Sequence, residues 1–577
     1  MNLASRTATT DPITAEIIRN SLVAITDEMK TNMMRTAYNS IIYEALDFTV
    51  GLFDAAGDTT SIGLGLPMFI RGLSDAIKAK LAFYGPAGIA PGDILLTNDA
   101  YIMGSHLNHM IFTLPIFHDG EIVAFASSMG HWQDIGGTLG GTTQDIFSEG
   151  LQVPIVKIFK RGVQDDELTR LIRTNVRFPE LAMGDFRAQI ASIRTGEIRY
   201  QAMLKKYGAP AVAESIRAIF EESEGLARAA VREIPDGVYE GESFMDDDGI
   251  GTEPIPIKVR VIVHGDEMTI DLTDVSPQVR GFFNSGANAG ISAAQVAFKC
   301  MTTPTLYPIN EGSFRPLTVK LPAGRVISAT KPAAMRKWMT IPMTCVDTVF
   351  KAMAPALPQH VAAGHHADLN SSRIFGLNPR SGRFFASSLG LPGGGWGAKY
   401  DSDGNNATVC INDGDTHNSV IESQEAKLPV LIEEYALRTD SGGAGEHRGG
   451  LGCALRVRVE GPMSLSVYTE RTKCPPWGLL GGLAGLPNGI RVVHPDGTEY
   501  APPNGKIAAF PLQAGDAFVV EAGGGGGYGD PHERPRAAVR DDLRRGYISR
   551  ASALRDYGLT ENEASDAVVR RPADGTP

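Results

Sequence analysis

Two apolar runs, Ile111-Phe112-Thr113-Leu114 and Ile122-Val123-Ala124-Phe125, are separated by Asp119-Gly120, a pair that readily takes positive φ and so signals a two-residue hairpin turn. This feature constrains the chain more than any other. A hairpin folds its arms back to back and carries whatever lies beyond their outer ends to one end of the ribbon. Gly104-Ser105-His106-Leu107-Asn108-His109-Met110 precedes the first arm, and His131-Trp132-Gln133-Asp134-Ile135-Gly136-Gly137 follows the second. The turn therefore predicts that the H-x-x-H pair His106 and His109 meets His131.

Other segments fill in the fold. Asp11-Pro12 is an N-cap with Pro at the first helical position, and Ile17, Ile18, Leu22, Ile25, Met29 and Met33 then recur at helical spacing, with the methionines as core filler. Leu168 to Leu204 and Ala211 to Ile234 read as further helices. Beyond Asp236-Gly237 the chain alternates as strands, in Ile257-Lys258-Val259-Arg260-Val261 and Ile270-Asp271-Leu272, and a helix from Ser292 to Met301 follows Asn284-Ser285-Gly286. Val539 to Gly546 reads as a charged surface helix ended by glycine. The 65 glycines and closely spaced turns favour antiparallel or mixed sheets over a doubly wound one. The expected fold class is α+β: a helical N-terminal entry, a metal-bearing strand and loop region, and a larger strand-rich C-terminal part. As domains, we expect 1–236 helical and metal-binding, 237–535 strand-rich, and 536–577 a helical tail.

The 577 residues, 43% hydrophobic and 21% charged, suffice for a large core. With 54 Lys+Arg against 66 Asp+Glu, a net charge of -12 and no basic stretch, nucleic acid is excluded as a partner. Cys300, Cys345, Cys410, Cys453 and Cys474 form no C-x-x-C pair and read as buried, reduced thiols. Met1 to Arg6 leads into a polar segment without an apolar leader, and no run approaches the ~18 apolar residues of a membrane span. A soluble cytoplasmic protein without a membrane partner is expected.

Metal-competent side chains concentrate between Asp99 and Asp145. Three imidazoles and a carboxylate suit Zn, Mn or Fe at a site with an open position, where the ion lowers the pKa of bound water or polarises a carbonyl. H-x-x-H by itself also fits surface or hydrogen-bonded core histidines. Asp47 is a lone acid among apolar residues in Tyr43-Glu44-Ala45-Leu46-Asp47-Phe48-Thr49. Such an acid is paired or ligating, because an unpaired buried carboxylate is costly; a hydrogen-bonded structural role is the alternative that the pattern alone favours. His365-His366-Ala367-Asp368 and Asp413-Gly414-Asp415-Thr416-His417 are metal-like in composition, but no spacing links them, so they read as active-site wall or plain loop. The glycine-dense segments 393–400 and 523–527 match no nucleotide loop and read as tight turns and close backbone packing. No G-x-S-x-G elbow occurs and no cysteine has electropositive neighbours, so covalent nucleophilic catalysis has no support.

Successive blocks resemble, in order from about residue 11 to 560, the hydantoinase B/oxoprolinase family: Asp47-Phe48 before Leu52-Phe53-Asp54-Ala55, Gly104-Ser105-His106-Leu107, His131 to Gly137 with Glu149-Gly150, Ser276 to Gly281, Arg315-Pro316, Gly393 to Gly397, Ser441 to Gly452, and Gly523 to Asp530. The resemblance implies an ATP- and Mg-binding partner subunit of the hydantoinase A type that phosphorylates the substrate's carbonyl oxygen. The subunit resembling this chain would carry a divalent metal, Mn, Zn or Fe, where the activated species is hydrolysed or, in ketone carboxylases, carboxylated. Carried over one position at a time, the family's ligands fall on Asp47, His106, His109 in place of an acid, and His131, with Asp134 orienting an imidazole. His109 implies a more nitrogen-rich, less negative site, and Trp132, where a second His is common, a reshaped pocket. The function this implies is the metal-binding subunit of a hetero-oligomeric, ATP-dependent amidohydrolase that opens a lactam, hydantoin or 5-oxoproline-type ring. A ketone carboxylase subunit of the acetone or acetophenone type and a non-catalytic scaffold with a structural metal are the alternatives. Whether Arg336, His365 or His417 reaches the substrate is left open.

Overall fold

The computed structural model describes residues 11–302, 308–409, 412–414 and 416–569. Met1 to Arg6, Cys410 and Asp415 lie outside them. The hairpin forms as the sequence predicts, within a seven-stranded, wholly antiparallel sheet of β1 (Phe48–Asp54), β2 (Thr59–Leu64), β3 (Ile94–Thr97), β4 (His109–His118), β5 (Glu121–His131), β6 (Val156–Lys160) and β7 (Val163–Gln164), in the order β2-β1-β5-β4-β3-β6-β7. Asp119 and Gly120 take φ of 50° and 85°. That turn sets His118 opposite Glu121, and a one-residue bulge at Val123, between the pairs Phe117–Ile122 and Ile116–Ala124, then brings His109 opposite His131 at the far end.

β4 is buried along most of its length, so both faces of the sheet must be covered. Phe112 meets Phe186 of the helix Pro179–Tyr207 edge-on at 5.2 Å. Its neighbour Thr113, which alternation turns to the opposite face, accepts from Lys80 Nζ at 2.8 Å in the helix Gly72–Tyr84. The N-terminal helix Pro12–Thr36 starts where expected, with the Asp11 carboxylate accepting from the Thr14 N–H, and buries Ile18, Leu22, Ile25, Met29 and Met33; Ile17 instead faces outward, 44% exposed. The single helix expected over Leu168 to Leu204 is two, Asp166–Thr174 and Pro179–Tyr207. Pro179 is the reason: a residue before proline is driven out of the helical region, and Phe178 has φ -118° and ψ 67°.

After the helix Ala209–Arg232, a four-stranded sheet of Gly237–Met245, Ile255–His264, Glu267–Asp271 and Leu317–Lys320 ends in a parallel pair and is therefore mixed. The helices Ala287–Thr302 and Thr340–Met353 share its core, with Phe298, Val346 and Phe350 buried among Val259, Val261 and Ile270. Two further antiparallel sheets, built from strands between Ser372 and Glu521, enclose one cluster containing Ile374, Leu465, Leu455 and Phe518, which makes them a sandwich. Arg536–Arg545 ends at Gly546 in the left-handed conformation. Helices at the entry and antiparallel or mixed sheets beyond are the expected α+β arrangement. Among the described residues, no helix is long and apolar enough to cross a membrane. Cys345 and Cys453 are buried as expected, but Cys474 is half-buried and Cys300 exposed.

The two glycine-dense segments pack against each other without forming a regular element. Gly395 N–H donates to Gly523 O and Gly525 N–H to Gly450 O, both at 2.9 Å, while Gly443 N–H donates to Gly525 O at 2.8 Å. A Cβ on Gly525 would lie 1.9 Å from the Trp396 carbonyl oxygen, and one on Gly395 as close to that of Gly450. Glycine is required here because backbone meets backbone. Gly525→Ala is expected to lower the unfolding free energy by more than about 4 kcal/mol in chemical denaturation, since no flexible side chain can give way.

One buried carboxylate ties helix to sheet. Asp185, fully buried in the helix Pro179–Tyr207, accepts the N–H groups of Tyr38 at 2.8 Å and Asn39 at 3.3 Å, and Asn39 Nδ2 donates to the His131 carbonyl at 2.8 Å. Burial pushes the Asp185 carboxyl up to about 6 despite those donors. The folded state then holds a proton that the unfolded chain has released, so this group's contribution falls by about 3 kcal/mol as pH rises from about 4 to about 6. Subtracting the stability–pH curve of Asp185→Asn from that of the parent should isolate this decline; a flat difference over that interval contradicts it.

Candidate metal centre

Three neighbouring interior strands bring the site together at one end of the first sheet. β4 begins at His109, β5 ends at His131, and Asp47 stands just ahead of β1, where its carbonyl accepts the His131 N–H at 3.0 Å. His106 arrives from a short loop. Gly104 takes φ 78° to end the helix Ala100–Met103, and Asn108 then clamps the loop to β5, its Nδ2 donating to the Trp132 carbonyl and its own carbonyl accepting the Trp132 N–H.

The imidazole rings of His106, His109 and His131 have centroids 4.6, 4.7 and 5.3 Å apart, and their candidate ligand atoms all lie within 4.8 Å of one another. His109 Nε2 is 3.2 Å from Asp47 Oδ1, and His109 Nδ1 is 2.8 Å from Ser105 Oγ. His106 Nδ1 is 3.3 Å from the Arg336 carbonyl oxygen. A carbonyl only accepts, so Nδ1 carries the proton and Nε2 keeps its lone pair. That Nε2 is buried without a partner, as is His131 Nδ1. Two orphaned imidazole nitrogens beside a carboxylate–imidazole contact are donors that fit a divalent ion.

The electrostatics favour the same occupant. Burial, reinforced by the neighbouring imidazoles, holds His106 well below the usual imidazole range. Burial also pushes His131 down to about 4, outweighing the Asp47 carboxylate that opposes it. For Asp47 burial acts upward, but His131 and His109 together outweigh it and the carboxyl stays below its ordinary value. At neutral pH the rings of His106 and His131 are therefore neutral and Asp47 is ionised, the protonation states that ligation needs. Phe69 and Trp338, both buried, flank His109 at ring distances of 5.1 and 5.9 Å and keep water from that side.

Asp47, His106 and His131 open onto a cavity of about 250 Å³, whose wall also includes Asp134, Glu149, Arg336, Lys337, Trp338, Asp368, Arg373 and His417. Several expectations change here. Asp134 orients no imidazole. Its Oδ1 pairs with Arg177 Nη1 at 2.7 Å and its Oδ2 accepts the N–H groups of Arg177 and Gly136. Orientation falls instead to Ser105 and the Arg336 carbonyl. Trp132 does not shape the cavity either: it is fully buried, and its indole N–H donates to Gln189 Oε1 at 2.9 Å. His365 does not reach the cavity, because it is buried against Asp347, which Arg471 also holds at 2.9 Å. His417 and Arg336 do line it. Sequence reasoning missed Trp338, Lys337 and Arg373, although Arg336-Lys337-Trp338 interrupts an otherwise apolar stretch and was the available signal.

The sequence profile of the hydantoinase B/oxoprolinase family matches residues 11–531. The chain is 33% identical over 569 residues to the caprolactamase subunit beta of Pseudomonas jessenii, covering 96% of each chain. Its structure is similar to the crystal structure of the ATP-dependent caprolactamase from Pseudomonas jessenii, with TM-score 0.88 and 30% identity over 97% of this chain and 99% of that one. An acetone carboxylase in its nucleotide-free structure shares the fold, with TM-score 0.87 and 18% identity over 98% of this chain and 84% of that one. The chain belongs to the hydantoinase B/oxoprolinase family.

Proposed function

We propose that this chain is the metal-binding B-type subunit of an ATP-dependent enzyme that opens a lactam or related cyclic amide after an A-type partner subunit has phosphorylated it. The observation that carries this reading is the cluster of Asp47, His106, His109 and His131, in which Asp47, His106 and His131 line a cavity and two buried imidazole nitrogens lack any partner. Likeness to a chain named caprolactamase subunit beta supports both the amide substrate and a second subunit. ATP is used in the cytoplasm, where we place the assembly.

A divalent ion held there, Zn, Mn or Fe, would supply a Lewis acid that polarises a carbonyl oxygen and acidifies a water molecule. The chain's own groups prepare for it. Ser105 and the Arg336 carbonyl fix the ring orientations of His109 and His106, Asp47 contributes the negative charge, and Phe69 and Trp338 desolvate the cluster, which strengthens every charge interaction inside it. An unstrained amide is a poor electrophile, so prior phosphorylation of its oxygen makes the carbon open to attack by water. The ring opens as the C–N bond then breaks with the amine as leaving group, and hydrolysis of the resulting acyl phosphate releases phosphate. The cavity beside the imidazoles argues against a purely structural ion, for which a closed shell with cysteine is usual.

Purified with its partner, the wild-type chain is expected to carry near-stoichiometric metal by elemental mass spectrometry and to hydrolyse caprolactam only with ATP. His106→Ala should bind metal at least about tenfold more weakly and lose ring-opening activity in proportion. Wild-type protein without metal, or activity insensitive to its removal, contradicts the proposal. ATP-dependent fixation of labelled bicarbonate into a ketone would replace it with carboxylation.

A further inference from the structure

Arg336, Lys337 and Arg373 line the same cavity as the imidazoles. Arg336 and Lys337 stand just ahead of the helix Thr340–Met353, and Arg373 lies in the strand Ser372–Leu377 of the third sheet. Among the described residues, no carboxylate comes within ion-pair distance of any of the three. Arg336 binds through its backbone, its N–H donating to Glu149 Oε1 at 2.9 Å. The Lys337 ammonium sits over the Tyr468 ring at 5.5 Å. The Arg373 Nε is buried with no partner.

The acids around the cavity are already engaged. Asp47 belongs to the imidazole cluster and Asp134 is paired with Arg177. Glu149 accepts from Thr143 Oγ1 and from the Met335 and Arg336 N–H groups, and Asp368 accepts the Asn370 and Glu470 N–H groups. Asp413 has a partner as well. All three are half-buried at the cavity wall, and cations held there without a paired protein carboxylate favour an anion that arrives from outside. Burial, opposed by Glu149 at Arg336 and by Asp368 at Lys337, lowers both below their ordinary values, and burial with repulsion from Arg336 brings Arg373 down to about 10.

The third sheet adds hydroxyl donors. Arg373 stands in register between Ser388 and Ser466 on the flanking strands, and both serines line the cavity. Two guanidinium groups, one ammonium and these hydroxyls suit the three oxygens and double charge of a phosphoryl group better than the two oxygens and single charge of a carboxylate. We propose that Arg336, Lys337 and Arg373 form an oxyanion site that holds the phosphoryl group of an activated substrate beside the imidazole cluster. It rests on the proposed function only for the identity of that substrate; the anion site itself is read from the cavity.

Inorganic phosphate is the probe. Calorimetric titration at low ionic strength should show phosphate binding to the wild type, at least tenfold weaker binding to Arg373→Gln and to Lys337→Met, and retained binding to His106→Ala, with acetate at least tenfold weaker than phosphate throughout. Because both substitutions relieve repulsion between cations, they should leave the melting temperature unchanged or raised while reducing the shift phosphate induces. A merely structural role would lower it and leave the phosphate response intact. No binding to the wild type, unaltered binding in both Arg373→Gln and Lys337→Met, loss of binding in His106→Ala alone, or acetate binding as tightly as phosphate each overturns the site. Wild-type protein that lacks metal yet binds phosphate through these cations would contradict the proposed function and leave the anion site standing.

Discussion

Everything at the site depends on the register of one hairpin. The Asp119-Gly120 turn closes with His118 opposite Glu121, a register that by itself would set His109 opposite Gly130; a bulge at Val123 shifts the pairing by one residue and puts His109 opposite His131. A slip of one residue would turn every side chain of that strand to the other face and scatter the imidazoles. β1 pairs on the far side of β5, with Phe48 opposite Gly130, and this delivers Asp47 to the same end. The helix Pro179–Tyr207 pins the arrangement through Asp185 and Asn39, so burial of the sheet and construction of the site are one event.

The cavity joins two kinds of surface. The imidazole end is donor-rich, backed by Phe69 and Trp338, and burial holds His106 and His131 below the usual imidazole range. The facing elements bring cations that, among the described residues, no carboxylate pairs within ion-pair distance, although Asp134, Glu149 and Asp368 share the cavity wall. Placing Arg373 near the imidazole end requires the C-terminal sandwich to come close to the N-terminal sheet, and Gln133 Nε2, donating to the Ala386 carbonyl at 3.0 Å, is one direct link between them. Within the C-terminal part, backbone-to-backbone packing at Gly395, Gly450 and Gly525 allows segments far apart in sequence to meet without side chains between them.

Local signals carried the hairpin, the capped first helix and the meeting of His106, His109 and His131 at one end of the ribbon, while the bulge at Val123 that sets the final pairing left no signal in the sequence. Long-range contacts were not legible. Asp134 looked like an acid poised to orient a ring, but the break before Pro179 brings Arg177 onto it. Trp132 looked like a cavity wall because it neighbours His131, yet its indole turns away into the core to reach Gln189. Arg336, Lys337 and Arg373 read as ordinary cations in sequence, since only the packing of separate elements shows that their acids are missing. The glycine segments announced close packing but not their partners.

X-ray absorption at the metal edge of the purified wild-type protein tests the central claim most directly. A first shell dominated by imidazole nitrogen, fitting three histidines and one carboxylate oxygen near about 2.0–2.2 Å, is the result this account predicts. A shell of oxygen alone, or one containing sulfur, would contradict it, because no such donor set exists where Asp47, His106, His109 and His131 meet.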